Sequence, residues 1–455
     1  MGVLPMTQNI SSSVGNESRG QAASWPGSEP SASTGARLRR TIFGAVVGNL
    51  LEQYDFALYG SMAAIALGTL FFSNLGPTAA LFAGLSTFAI GFCARPVGGI
   101  LAGHFGDIYG RKIVLMVTLI VAGIATAMIG VLPTYATAGL WAPFALVGLR
   151  LVQGVAVGGE TSGAFLIVNE SAPTAKRGLY TSLVTASSSA GVLLANFAIL
   201  LFAAMPRDEF LSWGWRIPFL FAVVLIGIGA WIRRHMQESV AFEEAVGVEE
   251  ARERKKSPLF EMLRHRRQLF QVMGLCMGYN ALTYVSLTWV MGYLSLNGRA
   301  TDLGLTGMVI AVSGFGAMAA LSGYLSDKFG RRTLITLGSL GHILFAFPLF
   351  RLLDIGQAHA IWTAMGVAGL FSGTIAGPMN SLMVESFRTD HRYSASSSSY
   401  TIGAAVGGGL TPLLATLLYS QARATWGVSM IVVVAGLICI SSARSLKETA
   451  GIDIQ

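Results

Sequence analysis

Charge is what this 455-residue chain has least of. Only 12% of its residues are Asp, Glu, Lys or Arg, while 53% are apolar. A soluble domain carries about twice that charged share. One large soluble core is excluded on this ground, because too few charges remain to coat its surface. Cysteine is scarce as well. Cys93, Cys276 and Cys439 all fall inside apolar stretches, none with a neighbour at metal-ligand or redox spacing, so they read as small packing residues. No nucleophile-base pair and no metal cluster appears, which predicts no enzyme, no catalytic residues, no metal and no cofactor. Short alternating segments, the mark of a membrane barrel, are missing too. Residues 1–36 are rich in Ser, Gly and Pro and contain no apolar run of signal-peptide type.

What fills the chain instead is a series of apolar blocks, each long enough to cross a hydrocarbon layer as a helix of about 20 residues. Twelve are legible, near 42–70, 79–103, 113–133, 140–168, 178–205, 214–234, 269–296, 304–326, 333–353, 360–384, 393–419 and 425–443. The fold class expected is therefore all-α integral membrane, with twelve transmembrane helices in two six-helix bundles. The expected organisation is a disordered tail at 1–40, a first bundle at 41–234, a linker at 235–268, a second bundle at 269–444 and a tail at 445–455. The linker is acidic, then basic, and reads as short amphipathic helices on the membrane surface.

A net charge of +8 could suggest a nucleic-acid partner, but its placement argues against one. Basic residues crowd the connections on the side that holds both termini, among them Arg37, Arg39, Arg40, Arg111, Lys112, Lys176, Arg177, Arg233, Arg234, Arg331, Arg332 and Arg444. The other side has Arg207, Arg299, Arg351 and Arg423. That asymmetry predicts cytoplasmic N- and C-termini and a lipid bilayer, not nucleic acid, as the environment of the basic groups.

The pattern G-x-x-x-D-x-x-G-R-[RK] occurs twice: as Gly103, Asp107, Gly110, Arg111, Lys112, and 220 positions on as Gly323, Asp327, Gly330, Arg331, Arg332. Each copy is a tight polar turn after the second block of its half, so the chain is two related halves. Gly103 and Gly323 let helices touch, Gly110 and Gly330 permit the reversal, and each Asp is placed to meet a neighbouring helix N-terminus and an Arg. That geometry predicts a latch on the cytoplasmic side, with simple topological anchoring as the plainer role. Glu385 and Arg392 flank the turn between blocks ten and eleven and read as part of the same gate, or as loop charges.

Ionisable groups inside the blocks are costly unless they face a partner or a wet cavity. Glu52 and Asp55 lie three apart on one helix face, with Tyr59 a turn beyond, and two carboxylates so close suit a site that takes and releases protons. Arg95 sits too deep in the second block to be a loop cation, and a guanidinium there is suited to gripping a carboxylate. Structural pairing among these charges is the plainer alternative. Arg150, Gln153 and Glu160 form a polar stripe on the fourth block, with Arg150 placed for anion binding or for proton coupling with Glu160. Asn280, Tyr284 and Tyr400 are neutral groups able to orient a ligand, or interhelical hydrogen-bond partners.

These residues resemble the major facilitator superfamily over about 41–445, and more specifically its metabolite:proton symporter branch, which includes α-ketoglutarate, citrate, shikimate and proline or betaine permeases. The matching pieces are Gly48-Asn49 with Glu52, Tyr54, Asp55, Phe56 and Gly60; Arg95-Pro96-Val97-Gly98-Gly99; Gln153-Gly154 with Gly158-Gly159-Glu160; and Arg177-Gly178 with Ser182. Further matches are Trp213 to Phe219, and Arg392-Tyr393 leading to Gly408-Gly409 and Pro412. Gln53, Ile108 and Arg388 depart from the pattern. The resemblance implies proton-coupled import of a small organic acid by alternating access, in a bacterial inner membrane, as a monomer. Proton-coupled efflux, import of a zwitterion such as proline or betaine, and a transporter-like sensor are the alternatives.

Overall fold

The computed structural model describes residues 2, 32–203, 205–234, 265–297, 299, 301–389, 391–422 and 424–452. Among these the secondary structure is helical, with no strand. Twelve helices follow the twelve apolar blocks: α1 (32–71), α2 (Pro77–Tyr109), α3 (Arg111–Val131), α4 (Trp141–Ser171), α5 (Arg177–Ala203), α6 (Arg216–Arg234), α7 (266–296), α8 (Thr301–Phe329), α9 (Arg331–Ile355), α10 (Ala358–Glu385), α11 (Arg392–Ala422) and α12 (Trp426–Ser445). Ten of them are long and apolar enough to cross a membrane, and α1, bent by 42° between Met62 and Ile65, makes an eleventh. The remaining one, α7, spans the same length with a more polar middle, where Tyr279, Asn280, Thr283, Tyr284 and Ser286 follow one another.

The linker proper, 235–264, and residues 3–31 of the N-terminal tail lie outside the described residues. The tail boundary drawn at 40 is too late, because α1 begins at Ala32. Pro30 is the nearest helix breaker upstream, and Arg39 and Arg40 are exposed, so the helix runs on into water past the apolar block. The tail drawn from 445 is likewise packed: Leu446 is buried and Ile452 accepts a hydrogen bond from Arg177 (3.1 Å).

The twin turns adopt one conformation. Gly110 has φ 101° and ψ 152°, and Gly330 has φ 92° and ψ 147°. Both lie where a side chain is strained, so each α2–α3 or α8–α9 reversal needs glycine. Between the halves, α2 packs on α11 and α5 on α8. Within the first half, the Trp213-to-Phe219 segment ties α6 to the end of α3: Arg216 donates to the carbonyls of Gly130 (2.8 Å) and Leu132 (2.7 Å) and stacks over the buried Trp215.

Apolar burial drives little helix association inside lipid, so close backbone contact must supply the packing. The glycines of α2 show how. A side chain on Gly98 would enter the backbone of Val155 in α4, one on Gly99 would meet Thr401 in α11, and one on Gly103 would lie 2.6 Å from the Ser394 Cα. One stripe of small residues thus brings α4 of the same half and α11 of the other onto α2. Gly98→Leu should lower thermal stability of the purified protein by about 1–3 kcal/mol through overpacking. Gly227→Leu, which meets nothing within 4 Å, should be neutral. Equal melting temperatures for the two variants would remove the packing argument.

Candidate functional site

Helices α1, α2 and α4 place their intramembrane charges around one hollow, lined by Glu52, Asp55, Phe56, Gly91, Arg95, Arg150, Gln153, Gly154 and Val157. It is narrow, about 10 Å³, room for one water molecule. Gly91 and Gly154 sit in backbone contact where α2 crosses α4, so a larger residue at either would push the helices apart or fill the space that Arg150 occupies. A larger hollow of about 590 Å³ between α2, α3 and α4 has an almost wholly apolar lining and opens outward past exposed Phe105, Tyr109 and Ile113. It carries no charged group in its lining.

Each acid in the narrow hollow has a fixed donor. Thr161 Oγ1 donates to Glu52, lying 2.6 and 2.8 Å from its two carboxylate oxygens, and Thr126 Oγ1 donates to Asp55 at 2.7 Å. Gln153 bridges Asp55 and Arg150: its amide N–H donates to the carboxylate and its amide oxygen accepts from the guanidinium. The Arg150 guanidinium lies 3.6 Å over the ring of Tyr59, whose hydroxyl is 2.5 Å from Thr87 Oγ1. Arg95 differs. Its guanidinium stacks over Phe56 (4.7 Å) and Phe92 (4.6 Å) and makes no hydrogen bond or ion pair among the described residues. The second half reaches this place through Tyr284, whose ring meets Phe92 at 5.8 Å, and through Tyr400; both tyrosines lie within electrostatic reach of Arg95 and Glu52.

Two of the candidate residues take other partners. Glu160, one residue past Gly159, pairs with Arg233 at 2.5 Å. Arg233 reaches in from the end of α6 past Gly48, where a side chain would collide with its guanidinium, and also donates to the Leu115 carbonyl. Asn280 is the second: its amide donates to the Cys276 carbonyl of its own helix (2.8 Å). Thr126, Thr161 and Arg233 were not singled out by sequence. The only signal for Arg233 is a glycine on a polar helix, which is too common to be read.

At the end of the bundle that carries both termini, the halves are joined by a matched set of bonds. Asp107 accepts from the backbone N–H groups of Tyr393 (3.1 Å) and Ser394 (2.8 Å) at the start of α11. Asp327 accepts from those of Gly178 (2.8 Å) and Leu179 (2.9 Å) at the start of α5. Each Asp is held by its own motif's arginine, Arg111 at 3.7 Å and Arg331 at 2.6 Å. Glu170 takes Arg111 (3.4 Å) and, across the halves, Arg392 (3.1 Å). Glu385 takes Arg331 (3.2 Å) and, across the halves, Asn169 (3.0 Å). Glu170 was not named from sequence, although a signal exists: it precedes Arg177 by seven positions, as Glu385 precedes Arg392. Lys112 and Arg332 bond within their own halves instead, to the carbonyls of Arg234 (3.1 Å) and Arg444 (2.7 Å). Glu448 caps α9 by accepting from Arg331 N (2.8 Å) and Arg332 N (3.1 Å), and Thr449 donates to Glu385 (2.5 Å).

Two bundles of six related helices, with matched turns and charged groups gathered mid-span, define a secondary transporter fold. The chain belongs to the major facilitator superfamily, whose model matches residues 55–412. Within it, the chain is of the metabolite:proton symporter type. It is 36% identical over 424 residues to the shikimate transporter of Escherichia coli (strain K12), covering 91% of this chain and 95% of that one. It is 34% identical to the proline/betaine transporter of Salmonella typhimurium, over 91% and 84%. Among solved structures, a proton:xylose symporter bound to 6-bromo-6-deoxy-D-glucose superposes with a TM-score of 0.76 at 19% identity, over 92% of this chain and 98% of that one.

Breaking a buried ion pair from one side leaves a bare charge, at a cost of about 3–5 kcal/mol. Arg233→Met should therefore destabilise the purified protein by that order, while the double variant Glu160→Gln with Arg233→Met should recover most of the loss. Thermal unfolding of the single and double variants checks this, and additive losses would refute the pairing.

Proposed function

We propose that this chain imports a small organic acid together with protons across the bacterial inner membrane, working as a monomer with both termini in the cytoplasm. One observation carries the reading: three helices of one half bring Glu52, Asp55, Arg150 and Gln153 around a hollow in which Arg95 has no polar partner among the described residues. A guanidinium left without a counterion inside an apolar span is a standing invitation to a carboxylate. The two acids beside it are the groups able to take up and release a proton as the ligand comes and goes. The crowding of basic residues at the terminal end supports its cytoplasmic placement, and the similarity to a shikimate transporter and to an inner membrane metabolite transport protein supports the substrate class and the location.

The cycle follows from where the halves are bonded. The hydrogen bonds between them run from mid-span, at Ser189 Oγ to the Val312 carbonyl (2.7 Å), down to the terminal end. Acid and proton enter from the opposite end, the halves close over them, and the two Asp-to-helix caps release to open the cytoplasmic side. Import of a zwitterion is the second reading, favoured by the 34% identity to proline/betaine transporters. There the carboxylate takes Arg95 while a quaternary ammonium finds the rings of Phe56 and Phe92.

A coupled proton supports about tenfold accumulation for each pH unit of gradient. In proteoliposomes, Glu52→Gln should therefore abolish accumulation against a gradient while exchange of substrate across the membrane persists. Unchanged pH-driven accumulation by this variant would remove Glu52 from the proton path. Asp107→Asn and Asp327→Asn weaken opposite ends of the same closure, so each should raise labelling of a cysteine placed at Ser397 by a membrane-impermeant reagent added from the terminal side. No change in either variant would remove the latch.

A further inference from the structure

We infer that the transported acid carries a single carboxylate on a compact, partly apolar body, and that it moves with one proton in an electroneutral step in which its carboxylate replaces Glu52 as the counter-charge of Arg95. The inference rests on the symport reading above and narrows it. It begins from the charges at the hollow and directly beneath it, three carboxylates and three guanidiniums: Glu52, Asp55 and Glu160 with Arg95, Arg150 and Arg233. Glu160 and Arg233 form a closed ion pair. Asp55 and Arg150 are joined through Gln153, and Arg150 is further held face-on against Tyr59. Neither of those cations is free to take a ligand without breaking a bond that the empty site already has.

Glu52 and Arg95 remain. They stand within electrostatic reach of one another, yet no ion pair joins them; Glu52 is held by Thr161, and Arg95 rests on two phenylalanine rings. With all six groups ionised, the empty chamber is neutral. One proton on Glu52 and one carboxylate on Arg95 leave it neutral again, with Arg95 exchanging a distant counter-charge for a bonded one. A second carboxylate would find no unengaged guanidinium and would leave a net negative charge in an apolar span. What adjoins Arg95 is aromatic: Phe56, Phe88 and Phe92 lie 4.7–5.6 Å apart in pairs, with Tyr284 closing the row. That wall suits a ring or short hydrocarbon face, with the Tyr284 and Tyr400 hydroxyls left to meet hydroxyl groups on the ligand.

The test uses the full chain and probes matched in size but not in charge: cyclohexanecarboxylate against cyclohexane-1,2-dicarboxylate, shikimate against citrate, and glycine betaine. In detergent, thermal stabilisation should appear at a concentration at least tenfold lower for a monocarboxylate than for its partner, and should vanish in Arg95→Gln. In proteoliposomes, uptake of the strongest-binding radiolabelled probe should follow a pH gradient and change less than twofold under a potential of about 60 mV, which shifts accumulation about tenfold for each net charge carried. Tighter binding of a di- or tricarboxylate overturns the single-carboxylate inference, and acceleration or slowing by an inside-negative potential overturns the electroneutral step; either leaves acid symport standing. Stabilisation by betaine alone overturns the organic-acid reading in favour of the zwitterion one, and stabilisation by no probe at all, or uptake indifferent to the pH gradient, overturns the symport reading with it.

Discussion

A charge inside an apolar layer about 30 Å thick must find either an opposite charge or water, and this demand organises the molecule. Most of the buried arginines meet it by pairing: Arg111 and Arg392 with Glu170, Arg331 with Glu385 and Asp327, Arg233 with Glu160. Arg150 meets it through the amide of Gln153. Arg95 is met by aromatic faces and the hollow. The ion-paired groups build the frame and its closure; the one without an ion pair is where we propose that a solute is held.

The same demand explains why the closure is doubled. A cap made by Asp107 on α11 and another by Asp327 on α5 each join a turn of one half to a helix start of the other. Aspartate oxygens there satisfy backbone N–H groups that have no partner within their own helix, so the bond is strong when made and leaves exposed donors for water when released. A contact with two acceptable states is what a rocking pair of bundles requires. The C-terminal segment adds Glu448 on the start of α9, which fixes the arginine that holds Asp327.

Much of this is legible in the sequence. Spans, halves and turns were readable because lipid imposes a one-dimensional rule, length and apolarity, and because Gly110 and Gly330 need a conformation that other residues resist. Arg95, Glu52 and Asp55 stood out because a charge in such a span has few uses. The partner of Glu160 is not readable from its spacing to Gln153, since Arg233 reaches it from another helix. Arg233 was counted among the surface cations. Its long side chain instead runs inward along α1, a path that exists only because Gly48 leaves room.

The sequence alone thus determines how many times the chain crosses, how it repeats, and that Glu52, Asp55, Arg95 and Arg150 lie within the apolar layer, because each of these depends on residue type and spacing along one helix. The tertiary structure alone decided which charge meets which: that Glu160 belongs to Arg233, that Asp55 reaches Arg150 through Gln153, and that Arg95 is left over. Pairing depends on the direction in which side chains from different helices converge, and glycine gaps scattered over α1, α2 and α4 set those directions. No pattern within a single segment encodes them.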